Sequence, residues 1–247
     1  MVDQQLRTTG SVSGSNGHRA PDLASALTAA ARLLHRHDAR ADTLAAVVSA
    51  GRETIPGADG AGVTVVLGGR LDTAVATDGL ARELADVQRT LGEGPCIDAV
   101  AGQGLVVSAD LSTEERWPGY VARARRSGLR SQLAIQLHDE ERVLGVLNLY
   151  STTGDLSHHE TIRIAELFAV HAGIALMTAQ HREQMNDALA SRKVIGQAIG
   201  LVMERYQIDD QRAFEFLVRI SQSSNVKIRD VAQEMVNQAV DRGGREN

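Results

Sequence analysis

The 247-residue chain predicts an α+β domain, an antiparallel sheet flanked by helices, followed by a long linking helix and an all-α three-helix bundle. Two observations carry that expectation. Apolar spacing shifts from near 3.6 to near 2 and back along the chain, with strands grouped rather than alternating one for one with long helices. The last sixty or so residues then hold three short amphipathic runs separated by tight breaks.

Residues 1–21 are rich in Ser, Gly, Thr and Asn and hold too little apolar surface to fold, so a disordered tail is expected. Asp22 to Leu34 places Leu23, Ala26, Leu27, Ala30 and Leu34 on one helical face. Ala41 to Ile55 follows with Leu44, Val47 and Val48 inward and ends at Pro56-Gly57. The period then changes. Gly62 to Leu67 reads as a buried strand, Gly68-Gly69 as a hairpin break, and Arg70 to Thr77 as its antiparallel partner. Leu80 to Thr90 is a short helix closed by Leu91-Gly92-Glu93-Gly94-Pro95, and Gly104 to Ser108 a strand. Trp117 to Ser127 is a basic helix begun by Pro118. Two strands, Arg130 to Leu137 and Arg142 to Tyr150, flank Asp139-Glu140-Glu141.

From Ser157 to Tyr206 the pattern stays helical with no proline, and Ser157 is a candidate cap. At 1.5 Å per residue such a helix runs roughly 75 Å and needs a partner along its length. Ile162, Ala165, Ala169, Ala172, Leu176 and Ala179 form a narrow seam suited to a parallel coiled coil in a homodimer, or to packing on the domain's own sheet. From Gln180 to Asn186 the seam turns polar, a joint between the two halves. The final bundle has stripes at Ile195, Ala198, Ile199, Val202 and Tyr206, then Ala213, Phe216, Leu217 and Ile220, then Ile228, Val231, Ala232, Met235, Val236 and Ala239. Asp209 or Asp210 can cap its second helix, and Ser224 or Asn225 its third. Val194, Met203 and Tyr206 are assigned to packing.

Composition narrows the function. Charged residues make up 23 % and hydrophobic residues 43 %, an ordinary soluble balance, and no apolar run is expected to span a membrane. Cys96 is the single cysteine, which excludes an internal disulfide and suits the cytoplasm. Aromatics at 3 % disfavour recognition by many stacked bases. Residues 186–242 carry eight Lys or Arg against eight Asp or Glu, so non-specific attraction to phosphate is modest. His35, His37, His158 and His159 do not form a metal-ligand set, and neither a catalytic triad nor a nucleophile elbow appears. No enzyme, metal or cofactor is therefore expected. Cys96 sits at a helix start that can depress a thiol pKa, or is a small packed thiol. Arg123, Arg125, Arg126 and Arg130 read as a solvated basic face, with phosphate contact as the alternative.

Arg192, Ile195, the Gln197-Ala198-Ile199-Gly200 step, Val202-Met203-Glu204-Arg205, Ala213, Leu217, Ser223-Ser224-Asn225 and Val231-Ala232 together resemble the ANTAR domain. That resemblance implies a three-helix RNA-binding module of transcription antitermination regulators, which binds paired hairpins in mRNA leaders as a dimer. Ile199 stands where many members carry lysine, which removes one phosphate-binding candidate. Leu91 to Cys96, Arg116-Trp117-Pro118 and Leu144 to Ser151 resemble a GAF domain, which implies a sensor of an unidentified small molecule. The implied organisation is a tail (1–21), a GAF sensor (22–180), a helical linker (181–188), an ANTAR module (189–242) and a tail (243–247). Glu93, Gly94, Cys96 and Trp117 are the ligand-pocket candidates on the GAF pattern. Arg192, Lys193, Gln197, Gly200, Arg205, Ser223, Asn225, Lys227 and Arg229 are the RNA-binding candidates. The rival reading is a signalling scaffold whose C-terminal helices bind a protein partner.

Overall fold

A computed structural model describes Thr28 and residues 39–67, 70–139 and 142–243. Outside the described residues lie the expected tail 1–21, the body of the Asp22 to Leu34 helix, His35, His37, Gly68-Gly69, Glu140-Glu141 and residues 244–247. The elements come as expected, with ends shifted by a residue or two. Helix α1 spans Arg40–Thr54 and leads to a hairpin, β1 (Gly60–Leu67) against β2 (Arg70–Ala76). Helix α2 (Gly79–Leu91) starts where the Asp78 carboxylate accepts from the Ala81 N–H and stops at Gly92, whose φ of 67° is left-handed. A single turn, α3 (Pro95–Asp98), runs into a π turn over Ala99–Gln103 that the periodicity did not announce. Then follow β3 (Leu105–Ser108), α4 (Pro118–Arg126), β4 (Ser131–His138) and β5 (Val143–Ser151).

The sheet has five strands in the order β2-β1-β5-β4-β3, with every neighbour antiparallel. Alternation along the strands builds two cores. Val63, Val65, Leu133, Ile135, Leu137, Leu147 and Leu149 face α1 and the long helix α5, where Val47 and Phe168 are fully buried. Ala134, Val146 and Tyr150 point the other way, against Leu84, Cys96, Trp117 and Tyr120 from α2, α3 and α4.

Helix α5 is unbroken over His159–Tyr206. Ser157 does not cap it: the hydroxyl donates to Asp155, and His158 is the flanking residue, with no side-chain cap bond. The six seam residues are the main correction. Ala165, Ala169, Ala172 and Leu176 are buried in the core against the chain's own sheet, with Ile162 packed beside them and Ala179 buried as well. Alanine in this row lets the helix axis approach the sheet closely, so the small-residue pattern is intramolecular. Gly173 takes this furthest, since a Cβ there would sit 2.5 Å from the His138 carbonyl oxygen. One 18-residue window of α5 reaches a mean hydropathy of 1.5, enough by length and composition to cross a membrane, which corrects the expectation that no run approaches one. Half of that window is buried inside the protein, as in a core helix.

Helices α6 (Asp210–Ser224) and α7 (Ile228–Gly243) fold back on the end of α5. Ala198, Val202, Ala213, Leu217, Val231 and Ala232 are the buried centre of this bundle. Asp209 caps α6 by accepting from the Arg212 N–H at 2.8 Å. Neither Ser224 nor Asn225 caps α7. Ser224 donates to the Ile220 carbonyl, and Asn225 ends α6 in the left-handed region at φ 54°, which asparagine tolerates better than most residues.

Candidate functional site

Two regions carry functional candidates. The first is the sheet face beneath α2, α3 and α4. Glu93, read as lining a pocket mouth, instead accepts from the Gly119 and Tyr120 N–H groups at 2.9 and 3.2 Å. A carboxylate there satisfies two free donors at the start of α4 and meets the positive end of its dipole. Gly94 is required by its backbone: φ is 126°, and a Cβ would fall 2.5 Å from the Gln88 side-chain oxygen. Trp117 is buried, donates from Nε1 to Asp98 at 3.0 Å and lies under the Arg116 guanidinium. Cys96 is buried, and desolvation pushes its thiol pKa up, which makes it the packed thiol and not an activated one. The four pocket candidates thus belong to the same side of the domain, yet each is bonded or packed into the fold.

What the sequence reading missed lies directly beneath them. Gln88 on α2 accepts from the Cys96 N–H at 2.9 Å, and its oxygen also lies 3.4 Å from the Gln132 amide nitrogen. Gln132 on β4 accepts from the Tyr120 hydroxyl and donates to Asn148 on β5 at 3.3 Å. Asn148 donates to the Cys96 sulfur at 3.4 Å. The Tyr150 hydroxyl, fully buried beside Gln88, meets no partner within hydrogen-bond geometry, and burial holds its pKa well above the usual phenol value. This network contains amides, phenols and a thiol but no charged side chain. A sequence signal existed for Asn148, the one polar residue between Val143 and Tyr150 in its strand, whereas Gln132 shares its face with Gln136 and His138 and does not stand out.

The second region is the C-terminal bundle. At about 100° per residue, Lys193, Gln197, Gly200 and Glu204 fall within an arc of about 60°, and all four are exposed. Gln197 and Gly200 line a shallow groove with Val236, Ala239 and Val240 of α7. Nothing lies within 4 Å of where a Cβ on Gly200 would point, so no helix packs there. Arg192 and Arg205 each lie about 110° from the centre of that arc, on opposite sides. Arg205 joins Glu204, Met235 and Gln238 in a neighbouring groove, whereas Arg192 faces away from it. Ser223, Asn225, Lys227 and Arg229 cluster at the exposed turn between α6 and α7. There the Ser223 hydroxyl donates to the Ile220 carbonyl, and Arg229 pairs with Asp230 at 3.4 Å. Tyr206, assigned to packing, is half exposed but stacks on Phe216 with ring centroids 5.3 Å apart. The basic face of α4 is partly neutralised, because Arg125 and Arg130 lie beside Asp110 and help hold its carboxyl below the usual range, after hydrogen bonds from Ser112.

Comparison with known proteins adds three findings. A family model for the GAF domain matches residues 37–177, and one for the ANTAR domain matches residues 183–236. No curated protein matches the chain. Among solved structures, the chain is similar to the Stigmatella aurantiaca phytochrome photosensory core module at 12 % identity and TM-score 0.57, over 81 % of this chain and 45 % of that one. It is also similar to free methionine-R-sulfoxide reductase from Neisseria meningitidis at 19 % identity and TM-score 0.54, over 69 % of this chain and 98 % of that one. The chain spans less than half the length of the phytochrome module, and at these identities both likenesses speak for the fold alone.

Proposed function

The chain belongs to the GAF domain family and carries an ANTAR domain behind it, and on that premise we propose that it is a ligand-responsive regulator of transcription termination. The GAF domain is a small-molecule sensor and the ANTAR domain an RNA-binding antitermination domain. In the proposed action the ANTAR modules of a cytoplasmic homodimer each take one of two short hairpins in an mRNA leader. The paired hairpins then prevent an intrinsic terminator from forming. Two weak loop contacts joined in one dimer gain effective concentration, which a neutral module needs.

The observation that carries the reading is the single helix α5, which lies on the sensor sheet at one end and forms the first helix of the bundle at the other. A change in the sensor core has a rigid element to act on. Lys193 and Gln197 on α5, with Asn225, Lys227 and Arg229 at the α6–α7 turn, supply exposed polar groups for an unstacked loop and its phosphates, and Gly200 leaves open space beside them. Ser223 and Arg205 flank these sets. The ligand proposed for the sensor is small and uncharged, because the buried Gln88–Gln132–Asn148 network holds no charged side chain and leaves only the Tyr150 hydroxyl without a partner.

Filter binding with hairpin RNA against a scrambled RNA of equal length tests the reading, together with sequencing of RNA that co-purifies with the tagged protein. Preference for hairpins, and enrichment of leader segments containing two of them, is expected. Equal, weak binding to both RNAs would leave the helices to a protein partner.

A further inference from the structure

The aromatic residues of the chain divide by domain. Trp117, Tyr120, Tyr150 and Phe168 of the sensor are all buried, whereas Tyr206 and Phe214 of the C-terminal bundle are 50 and 44 % exposed and Phe216 is partly buried. Tyr206 is the last residue of α5 and leans on Phe216 of α6 with 44° between the ring planes. The Arg205 guanidinium stands 5.8 Å from the centre of the same tyrosine ring. One exposed ring is ordinary on a protein surface; its surroundings here are not. Arg212, Phe216, Arg219 and Ser223 recur at i, i+4, i+7 and i+11 of α6 and fall within an arc of about 60°. This row leads from the ring pair to the α6–α7 turn that carries Asn225, Lys227 and Arg229. Phe214 lies about 170° from the centre of the row and takes no part. Both arginines of the row are exposed, and Arg212 is held by Asp209 at 3.7 Å. Glu215, one turn before Arg219, accepts from the Gln211 amide instead. Among the described residues Arg205, Arg219 and Lys227 have no acid partner.

We propose that the exposed side of the Tyr206 ring receives one unpaired base of an RNA loop, with Arg205 and Arg219 on the phosphates beside it. The inference rests on the RNA reading above and adds a subsite that works by stacking. A paired stem keeps the faces of its bases inside its own stack, whereas a loop can splay one out. Every base has a π face, so the step favours loop over stem without choosing among bases. Stacking also supplies what phosphate attraction does not, since residues 186–242 carry as many acids as cations. A single step suits a chain with three Phe, three Tyr and one Trp, of which only those of the bundle reach the surface. Tyr206 lies about 150° around α5 from the centre of the Lys193, Gln197, Gly200 and Glu204 arc, so the row and that face hold different parts of an RNA.

Filter binding and fluorescence titration of the full chain test the subsite, with hairpin RNA carrying 2-aminopurine at each loop position in turn. Binding to the wild type dims one loop position, because stacking quenches that base. Tyr206→Leu keeps an apolar side chain against Phe216 but removes the π face. It lowers hairpin affinity on the order of tenfold and abolishes the quenching, and Tyr206→Phe restores both. Arg219→Ala leaves the quenching in place and flattens the salt dependence of binding by about one unit. Arg219 is a surface residue, so this variant tests the row even where Tyr206→Leu unsettles the bundle. A wild type that dims no loop position overturns the subsite and leaves hairpin recognition standing, as does a Tyr206→Leu chain, folded by circular dichroism, with wild-type affinity. A wild-type salt slope in Arg219→Ala overturns the phosphate contact. A wild type with no preference for hairpin over scrambled RNA overturns the proposed function and the subsite with it.

Discussion

Gly173 and Gly200 lie in the same helix, and the same substitution should act on them with opposite sign. At Gly200 the backbone is helical, the site is exposed, and a new Cβ would meet nothing within 4 Å. Alanine there removes the entropy penalty of glycine, worth about 1 kcal/mol in a helix interior. A gain of that size raises the Tm of a folding unit of roughly 60–100 residues by about 4–8 °C. At Gly173 the same Cβ would stand 2.5 Å from the His138 carbonyl, a backbone atom that cannot swing aside. Forcing helix and hairpin apart costs about 1–3 kcal/mol, which offsets or exceeds the propensity gain. Gly200→Ala should therefore stabilise the chain and also weaken hairpin RNA binding, because the open space that a loop backbone would use is filled. Gly196→Ala, equally unobstructed, supplies the stability reference. Thermal and urea denaturation of the three variants, followed by filter binding, makes the comparison. Destabilisation by Gly200→Ala would refute the claim that the site is open. A stabilised Gly200→Ala protein with unchanged RNA affinity would remove this face from the RNA contact.

The cations of the α6–α7 turn are separable from that face. Lys227→Ala with Arg229→Ala should weaken RNA binding and flatten its salt dependence by about one unit per lost phosphate contact; a folded double variant with the wild-type slope would place the phosphates elsewhere. Acid sensitivity should trace in part to Glu114, whose carboxyl takes three hydrogen bonds from Arg116 and is held at about 2, against an ordinary 4.5. A depressed carboxyl stabilises the fold above its ordinary pKa, and that contribution fades as pH falls from about 4.5 towards about 2. Glu114→Gln should accordingly make stability less steep in pH across that window. An unchanged slope would show that the pair is screened out at the surface.

The succession of elements was legible because helix and strand periods differ sharply and the glycine and proline breaks fall between them. The direction in which each face looks was less so. Helix α5 has two apolar sides, and periodicity reports a stripe without saying what covers it. The alanine row resembles a coiled-coil seam, yet alanine serves equally where a helix must lie close to a sheet. Gln132 and Asn148 escaped notice because a polar residue in a strand is ordinarily taken to face water. Glu93 shows the complementary limit. Its residue type suits a pocket, but its partners, the N–H groups of Gly119 and Tyr120, lie far along the chain and only the fold brings them to it. Asn225 was recognised as a cap and assigned to the wrong helix, since a left-handed asparagine closes the helix before it as readily as a side chain opens the one after.

The strand order has a consequence for how the chain is made. Strand β1 stands between β2, its immediate neighbour in sequence, and β5, with Gly60 opposite Tyr150. At about 5–20 residues per second of synthesis, β1 waits roughly 4–18 s for that partner. In the interval β1 can pair only with β2, while β3 can pair with β4, and one side of β1 keeps its backbone donors and acceptors open to any passing strand. Closing a loop of this length is the slow entropic step of the domain, whereas the three C-terminal helices are joined by short turns and assemble from local contacts. The sheet completes as β5 leaves the ribosome, while α6 and α7 have yet to be translated. The sensor's sheet can thus be complete on the nascent chain before the last two helices of the bundle exist.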